Sequence, residues 1–168
     1  MRRKVGIQLN KDAFVEKVLE AESTLYHVSK SILIHDEDCE DAVQNAILKA
    51  YNKLDTLKKE EYFKTWLIRI LINECYSLKR RKHPMVSYEE YFEYAKAKDK
   101  EDYSELYFAI RQLPNRIRIT IVLYYVEGYS VEEIKQILKI PSGTVKSRLA
   151  RGRKLLKIEL EHMEVTYE

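Results

Sequence analysis

The segment that most constrains the fold is a basic run near the end of the chain, IPSGTVKSRLARGRKLLK, which covers residues 140–157. Residues 142–157 hold six basic residues and no acidic one, although the whole chain has a formal net charge of only +3. The apolar residues Val145, Leu149 and Leu156 recur at helical spacing. The run therefore predicts a helix with one apolar face and one basic face.

The two faces of this helix follow from a rotation of about 100° per residue. Gly152 falls on the apolar face, which we expect to pack on the preceding helices. The opposite face is polar and basic, and Ala150 keeps it slim. Such a face suits the DNA major groove, where arginine reads guanine edges and neighbouring cations hold phosphates. A basic face that is merely solvated is the simpler alternative.

The residues before this helix predict a second helix and a tight turn. Ser130 and Glu133 have the spacing of a capping box, which marks a helix N-terminus, and Val131, Ile134 and Leu138 would form that helix's buried face. Gly128 is the expected C-cap of the helix before it, over 117–127. Pro141 lies in the turn that follows. This order predicts a helix-turn-helix, preceded by a helix over 106–113 that stops before a proline.

The first half of the chain also has helical periodicity. Apolar residues recur at spacings of three and four over residues 13–32, which predicts one helix face. The acidic stretch 36–41 is expected to begin a second helix, since carboxylates favour helix N-termini. A third helix is expected to begin near Glu60 and to run into the basic cluster 79–82. That cluster is either a favourable charge at a helix C-terminus or a set of phosphate contacts.

The charge distribution predicts two domains. Residues 84–103 hold three basic and six acidic residues and no clear amphipathic period, which is typical of a linker, with at most a short helix around 88–97. We therefore predict an all-α protein with two small helical domains, 1–83 and 104–168, joined by a flexible acidic linker. The second domain carries the helix-turn-helix. The sequence leaves open whether residues 158–168 form a frayed helix end or a partner site.

Several classes of protein are disfavoured by the sequence. Cys39 and Cys75 form neither a disulfide framework nor a zinc motif, and the four histidines have no metal-ligand spacing. No constellation of a nuclease or other enzyme is present. No apolar run is long enough to span a membrane. We expect a cytoplasmic protein that is not an enzyme, with no cofactor, metal, catalytic residue or small-molecule substrate.

The sequence resembles bacterial sigma factors of the extracytoplasmic-function (ECF) type, within the sigma-70 superfamily. In the second domain the resemblance rests on Leu113-Pro114, Gly128-Tyr129-Ser130, Glu133-Ile134 and GTVKSRL at 143–149. In the first domain it rests on DEDCEDAVQNAILKAYNKL and FKTWLIRILINECYSLKRRK. It covers about residues 10–83 and 104–157.

The resemblance implies a promoter-specificity subunit. It implies three partners. The first is core RNA polymerase, bound through its β′ clamp helices and its β flap. The others are promoter DNA and an anti-sigma factor that holds the free protein inactive. It also implies transcription of a stress or envelope-response regulon. The implied contacts to the −35 element are Thr144, Lys146, Ser147, Arg148, Ala150, Arg151, Arg153 and Lys154. The implied contacts along the −10 DNA are Trp66, Asn73, Lys79, Arg80 and Arg81. The implied polymerase-docking residues are Asp38, Asp41, Gln44, Asn45 and Lys49.

The chain departs from the family pattern at three positions. Asn45 stands where Asp or Glu is usual, Lys135 where a small residue is common, and Lys139 where Gly is common in the turn. Trp66 has two interpretations, a core residue or a platform on which a base stacks. The alternative function is a stand-alone helix-turn-helix regulator that binds palindromic DNA as a dimer.

Overall fold

The computed structural model describes residues 9–82 and 105–166, with side chains as far as residue 162. Within these residues the chain forms helices and turns and no strand, so the all-α prediction is confirmed. The chain divides into an N-terminal unit, Met1–Lys82, and a C-terminal unit, His83–Glu168. The predicted linker, with its short helix around 88–97, lies outside the described residues.

Four α-helices are described in each unit. In the N-terminal unit they are α1 (Lys11–Glu20), α2 (Glu22–Ile32), α3 (Asp36–Asn52) and α4 (Phe63–Lys82), with short 3₁₀ turns at Leu54–Thr56 and Glu60–Tyr62 between α3 and α4. In the C-terminal unit they are α5 (Glu105–Gln112), α6 (Asn115–Ile121), α7 (Val131–Leu138) and α8 (Ser142–Thr166).

The core of the N-terminal unit is the contact between α3 and α4. Ala42, Ala46 and Ala50 recur every four residues along α3, and all three are completely buried. Their methyl groups leave room for the larger side chains of α4, among them Leu67 and Leu71, which are also completely buried. Such small residues let two helices approach closely and pack without voids.

The helix predicted over 13–32 is in fact two helices. Ala21 has φ −90° and ψ −3°, outside the regular helical values, and its N–H donates to the carbonyls of Lys17 and Val18. It is also almost fully buried, so the break lies in the core. The apolar period continued across the break, which is why the sequence pattern did not reveal it.

The start of α4 differs from the prediction by one turn. Residues Glu60–Tyr62 form a 3₁₀ turn, and the α-helix begins at Phe63. The ring of Phe63 lies against the ring of Phe14 from α1, with centroids 5.6 Å apart. Phe14 also contacts the ring of Tyr51 on α3, at 5.3 Å. This aromatic cluster ties α1 to α3 and α4.

The C-terminal unit is organised around Gly152. A methyl group added at this residue would lie 2.6 Å from Cδ1 of Ile121 and 3.0 Å from Cγ2 of Ile117. Both isoleucines belong to α6 and are buried, so α8 crosses α6 at a point where only a hydrogen atom fits. Val145 and Leu149 continue the same buried face of α8, as the periodicity predicted.

The helix predicted over 117–127 has two parts. It is α-helical from Asn115 to Ile121 and then widens into a π-helical turn, Val122–Val126. The N–H of Glu127 bonds to the carbonyl of Val122, five residues earlier, at 3.0 Å. Gly128 follows with φ +73°, a left-handed conformation that glycine adopts without steric cost. Its prediction as the residue that ends this helix is confirmed.

The faces of α5 and α7 follow the predicted pattern less closely. In α7, Ile134 and Ile137 are buried, whereas Val131 and Leu138 are half-buried. In α5, Leu106 is exposed. The chain after Leu156 continues as helix to Thr166, so the part of the tail before residue 167 is not a separate segment.

We predict that Gly152→Ala lowers the free energy of unfolding of the C-terminal unit by about 1–3 kcal/mol, because the new methyl group overpacks the contact with α6. Gly143→Ala is the matched control. It lies on the same helix with open space around its Cα, and removing a glycine from a helix is expected to stabilise it by about 0.5–1 kcal/mol.

Urea unfolding followed by circular dichroism measures both changes. Trp66, the single tryptophan of the sequence, reports the unfolding of the N-terminal unit by fluorescence. The urea midpoint that it reports should be the same in both variants and in the wild type. A Gly152→Ala protein as stable as the wild type would contradict the close contact between α6 and α8.

Candidate nucleic-acid interface

The helix-turn-helix begins with a complete capping box. The side-chain oxygen of Ser130 accepts a hydrogen bond from the N–H of Glu133 at 3.2 Å. In return, Oε2 of Glu133 accepts from the N–H of Ser130 at 2.8 Å. Two N–H groups that a helix N-terminus leaves unpaired are thus satisfied. The capping box predicted from the sequence is confirmed.

The turn between α7 and α8 depends on an unusual backbone conformation at Lys139. This residue has φ 53° and ψ 48°, the left-handed conformation that glycine adopts most easily. It allows the N–H of Ile140 to reach the carbonyl of Lys135, at 3.3 Å. Pro141 then precedes α8, and its carbonyl accepts from the N–H of Val145 at 3.1 Å. Glycine, the residue that the resemblance would place at position 139, adopts this conformation at lower cost than lysine does.

The exposed face of α8 carries the side chains that the sequence predicted as DNA contacts. Ala150 and Arg151 are exposed, and the buried Val145 and Leu149 lie on the opposite side. The remaining predicted contacts divide into the exposed Lys146, Ser147, Arg153 and Lys154 and the half-buried Thr144 and Arg148. The hydroxyl of Ser147 donates to the carbonyl of Thr144 at 3.0 Å. Its short side chain therefore projects little from this face of the helix.

This face has the chemistry of a groove-binding surface. Arginine presents five N–H donors and lysine a mobile ammonium group, so both bind phosphate oxygens and the acceptor edge of guanine. No carboxylate lies on residues 142–157 to compete for these cations. The small side chain of Ala150 leaves the middle of the face free to approach a base edge.

The predicted −10 residues lie along α4 in two environments. Asn73, Arg80 and Arg81 are exposed, whereas Trp66 and Lys79 are half-buried. The ring of Trp66 packs on that of Phe63, with centroids 5.9 Å apart. Trp66 is therefore part of the aromatic core and keeps part of its surface accessible, which leaves both predicted interpretations open.

The last residue of the basic cluster has a structural role. Nζ of Lys82 lies 2.7 Å from Oδ1 of Asp38 and 3.1 Å from Oδ2 of Asp41. These hydrogen bonds raise the pKa of Lys82 above its ordinary value. The pair joins the end of α4 to the start of α3. Asp38, which the resemblance placed on the docking surface, is buried by this contact.

A second ion pair joins the same two helices further along. Lys49 of α3 bonds to the buried carboxylate of Glu74 on α4. Since Asp38 and Lys82 meet at one end and Lys49 and Glu74 at the other, α3 and α4 run antiparallel. Lys49, also predicted as a docking residue, thereby neutralises a buried charge. Sequence patterns do not reveal such partners because they are 25 residues or more apart in the chain.

The remaining predicted docking residues lie on one exposed stripe of α3. Asp41, Gln44 and Asn45 are exposed, and Leu48 continues the stripe with 59% of its surface accessible. The spacing of three and four residues puts them on one side of the helix. Sequence reasoning missed Leu48, because an exposed leucine cannot be told from a core leucine by type.

A groove of about 580 Å³ lies beside this stripe. Its walls come from α1, α2 and α3, and it includes the exposed Leu19 and Tyr26. The charged residues that line it are all acidic: Glu22, Asp36 and Glu40. Mostly apolar walls with a rim of one charge sign are typical of a site for an amphipathic partner rather than of a catalytic cleft.

The thiols are placed in the core. Burial raises the pKa of Cys39 to about 11 and that of Cys75 further still, so neither is a ready nucleophile. Among the described residues, no three His, Cys, Asp or Glu side chains gather as metal ligands would. In that same part of the chain, no helix combines the length and apolar character needed to cross a membrane.

Comparison with known protein families divides the chain in the same way. Residues 18–84 match Sigma-70 region 2, and residues 103–156 match Sigma-70, region 4. The first match covers most of the N-terminal unit, and the second covers the helix-turn-helix with its two preceding helices.

Characterised relatives match over nearly the whole chain. RNA polymerase sigma factor SigV of Bacillus subtilis is 31% identical over 157 residues, which is 91% of this chain and 94% of SigV. ECF RNA polymerase sigma factor SigW of the same organism is 32% identical, with 92% of each chain covered. The ECF RNA polymerase sigma-E factor of Escherichia coli is 34% identical over 71% of this chain and 72% of its own.

Two solved structures of similar fold are complexes of two proteins. One is CnrH in complex with the cytosolic domain of CnrY, with 25% identity and a TM-score of 0.70 over 91% of this chain and 90% of the other. Another is RpoE of Bartonella quintana in complex with the anti-sigma factor NepR, with 26% identity and a TM-score of 0.72 over 90% and 98%.

We predict that Lys139→Gly raises the free energy of unfolding of the C-terminal unit by about 0.5–1 kcal/mol. The left-handed conformation costs a non-glycine residue about 1–2 kcal/mol, and the extra freedom of glycine in the unfolded chain offsets part of the gain. Gln136→Gly, at an exposed position inside α7, should lower it by about 1 kcal/mol. Urea unfolding by circular dichroism measures both, and a loss of stability in Lys139→Gly would contradict the turn geometry.

We predict that Lys82→Met lowers the urea midpoint of the N-terminal unit, because the buried Asp38 loses its ion pair with Lys82. Arg81→Met removes the same charge from the neighbouring exposed position and should change the midpoint little. Since the pKa of Lys82 is raised on folding, its contribution is complete below the ordinary value of 10.5 and disappears as the pH rises through the folded pKa. Trp66 fluorescence measures both midpoints at pH 7 and above 10.5. Equal shifts in the two variants would contradict the ion pair.

Proposed function

The chain belongs to the ECF sigma factors of the sigma-70 family, and from this premise we propose that it binds core RNA polymerase and directs it to promoters through their −35 and −10 elements. The observation that carries the proposal is the exposed basic face of α8, mounted on a capped helix-turn-helix within the region 4 match. The region 2 match precedes it in the order that such a factor requires.

We infer that α8 enters the major groove of the −35 element. Arg151 and Ala150 lie on the exposed face opposite Val145, where base edges would be read, and Lys146 flanks this face, where a phosphate would pass. Each phosphate contact contributes to affinity for every sequence, whereas an arginine paired with guanine contributes to specificity.

We infer that α4 contacts the −10 DNA. Opening the duplex costs stacking energy, which an aromatic surface can partly restore. The accessible side of Trp66 offers such a surface, and Asn73 offers an amide for a base edge. Lys82 is held by Asp38 and Asp41. The exposed Arg80 and Arg81 would therefore contact the phosphates.

We infer that polymerase docks on the exposed stripe of α3. Asp41, Gln44, Asn45 and Leu48 combine polar groups around an apolar side chain, as the rim and centre of an interface do. The buried Asp38 and the exposed Lys49 support this surface, because their ion pairs hold α3 against α4. Asn45 in place of an acidic residue reduces the negative charge of the stripe by one.

We infer that an anti-sigma factor regulates the chain. RpoE of Bartonella quintana, a sigma factor of similar fold, is bound to the anti-sigma factor NepR in its structure. The apolar groove with its acidic rim offers a place for a helix with one apolar and one basic face. Binding to a promoter or to an anti-sigma factor requires no covalent bond to be made or broken by this chain. We therefore assign it no catalytic residue. Its place of action would be the cytoplasm, with the polymerase.

A stand-alone helix-turn-helix regulator is not favoured. That alternative would leave residues 18–84 without a role, although they match Sigma-70 region 2 as a whole. It would also leave unexplained the exposed arginines at the end of α4, in a unit that has no helix-turn-helix.

Run-off transcription tests the proposal. Core RNA polymerase is given a pool of upstream DNA from the chain's own genome, with and without the protein. We expect defined start sites that appear only with the protein. Arg151→Ala should reduce these transcripts about tenfold or more at limiting protein, because a bidentate arginine contact contributes about 1–3 kcal/mol.

Lys157→Ala is the matched control, since it removes one cation from α8 outside the predicted set and next to Glu161, 3.8 Å away. It should leave the transcripts nearly unchanged. Both variants should still co-elute with core polymerase in gel filtration, which separates loss of promoter binding from loss of assembly. Absence of transcripts, together with a dimeric shift of palindromic DNA by the protein alone, would replace the sigma factor with the stand-alone regulator.

A further inference from the structure

Tyr125 links α8 to the π-helical turn that follows α6. Its side chain lies in the π-helical turn that follows α6, and it is 53% exposed. Nη1 of Arg153, on α8, donates a hydrogen bond to the Tyr125 hydroxyl at 3.2 Å. No motif in the sequence singles out Tyr125, which lies 28 residues before its partner.

The bond between Tyr125 and Arg153 lies next to the core contact between α6 and α8. Ile117, Ile121 and Tyr125 recur every four residues, and the two isoleucines pack against Gly152. Arg153 is the next residue after Gly152. The Tyr125 ring also meets the Tyr124 ring edge-on, with centroids 4.9 Å apart. The hydroxyl is therefore presented to Arg153 from the edge of the α6–α8 contact.

A neutral partner suits an arginine that must bind an anion. A carboxylate would cancel the positive charge of Arg153, whereas a phenol hydroxyl accepts one N–H and leaves the charge intact. Four of the five N–H donors stay available for phosphate oxygens. An arginine held in one orientation also loses less rotamer freedom on binding than a mobile one.

We propose that Tyr125 is a positioning residue of the DNA interface, whose hydroxyl orients the Arg153 guanidinium toward a backbone phosphate. This inference rests on the proposed function, since it requires α8 to bind DNA. It adds a residue outside the two helices of the helix-turn-helix to the set that determines promoter affinity. Tyr125 acts through Arg153 and makes no DNA contact of its own in this proposal.

The test is a double-mutant cycle on DNA binding by the full-length protein. Fluorescence anisotropy measures affinity for a labelled 30-base-pair duplex of mixed sequence at several salt concentrations, since phosphate contacts do not depend on sequence. Tyr125→Phe keeps the ring and removes the hydroxyl. We expect it to weaken binding about two- to tenfold and to leave the slope of log affinity against log salt unchanged, because no cation is lost.

Arg153→Gln should weaken binding and reduce that slope by about 0.9, the value of one phosphate contact. Adding Tyr125→Phe to Arg153→Gln should then change nothing further. Tyr124→Phe, which removes the neighbouring exposed hydroxyl, is the matched control and should bind as the wild type does. Urea unfolding of all variants verifies that the C-terminal unit keeps its stability.

Two results would overturn the inference. The first is wild-type affinity in Tyr125→Phe, and the second is an equal loss from Tyr125→Phe with and without Arg153, which would mean an independent role. If Arg151→Ala and Arg153→Gln also leave affinity and salt slope unchanged, α8 is not the DNA interface, and this part of the proposed function fails as well. A failure confined to Tyr125→Phe leaves the proposed function intact.

Discussion

The close approach of helices at small side chains is the constraint on which both units depend. At Gly152 the backbone of α8 lies so near Ile121 that no Cβ fits, and this contact determines which face of α8 remains exposed. In the N-terminal unit, Ala42 and Ala46 allow α4 to pack equally well against α3. A larger residue at these positions would force the helices apart and rotate the surfaces that carry the charges.

The charged residues divide into two groups according to these contacts. Lys82 and Lys49 are partly exposed and bridge α3 and α4, and each neutralises a carboxylate that packing has buried. Arg151 is exposed and, among the described residues, neutralises no buried carboxylate. Lysines and arginines that look alike in the sequence therefore serve different ends, and the basic cluster at the end of α4 contains both kinds. A cation such as Arg151 can bind phosphate without a loss of stability, whereas Lys82 would have to leave a buried carboxylate to do so.

Much of the fold could be predicted from the sequence because its signals are local. The capping box at Ser130 uses groups three residues apart, and the apolar face through Val145 and Leu149 reflects one helix alone. The break at Ala21 was missed because the apolar period runs through it. The bond between Tyr125 and Arg153 was missed because it joins residues on different helices, for which a single sequence holds no local signal.

The sequence by itself determined the helical class, the family, and the residues that α8 presents, since helical rotation alone separates Arg151 from Val145. The tertiary structure decided what each charged residue does. Asp38 became a buried ion-pair partner because α4 brings Lys82 to it, and Lys139 took a left-handed conformation because the turn needs it. The physical reason is that burial and ion pairing depend on distances across the fold, whereas helix faces depend on spacing along the chain.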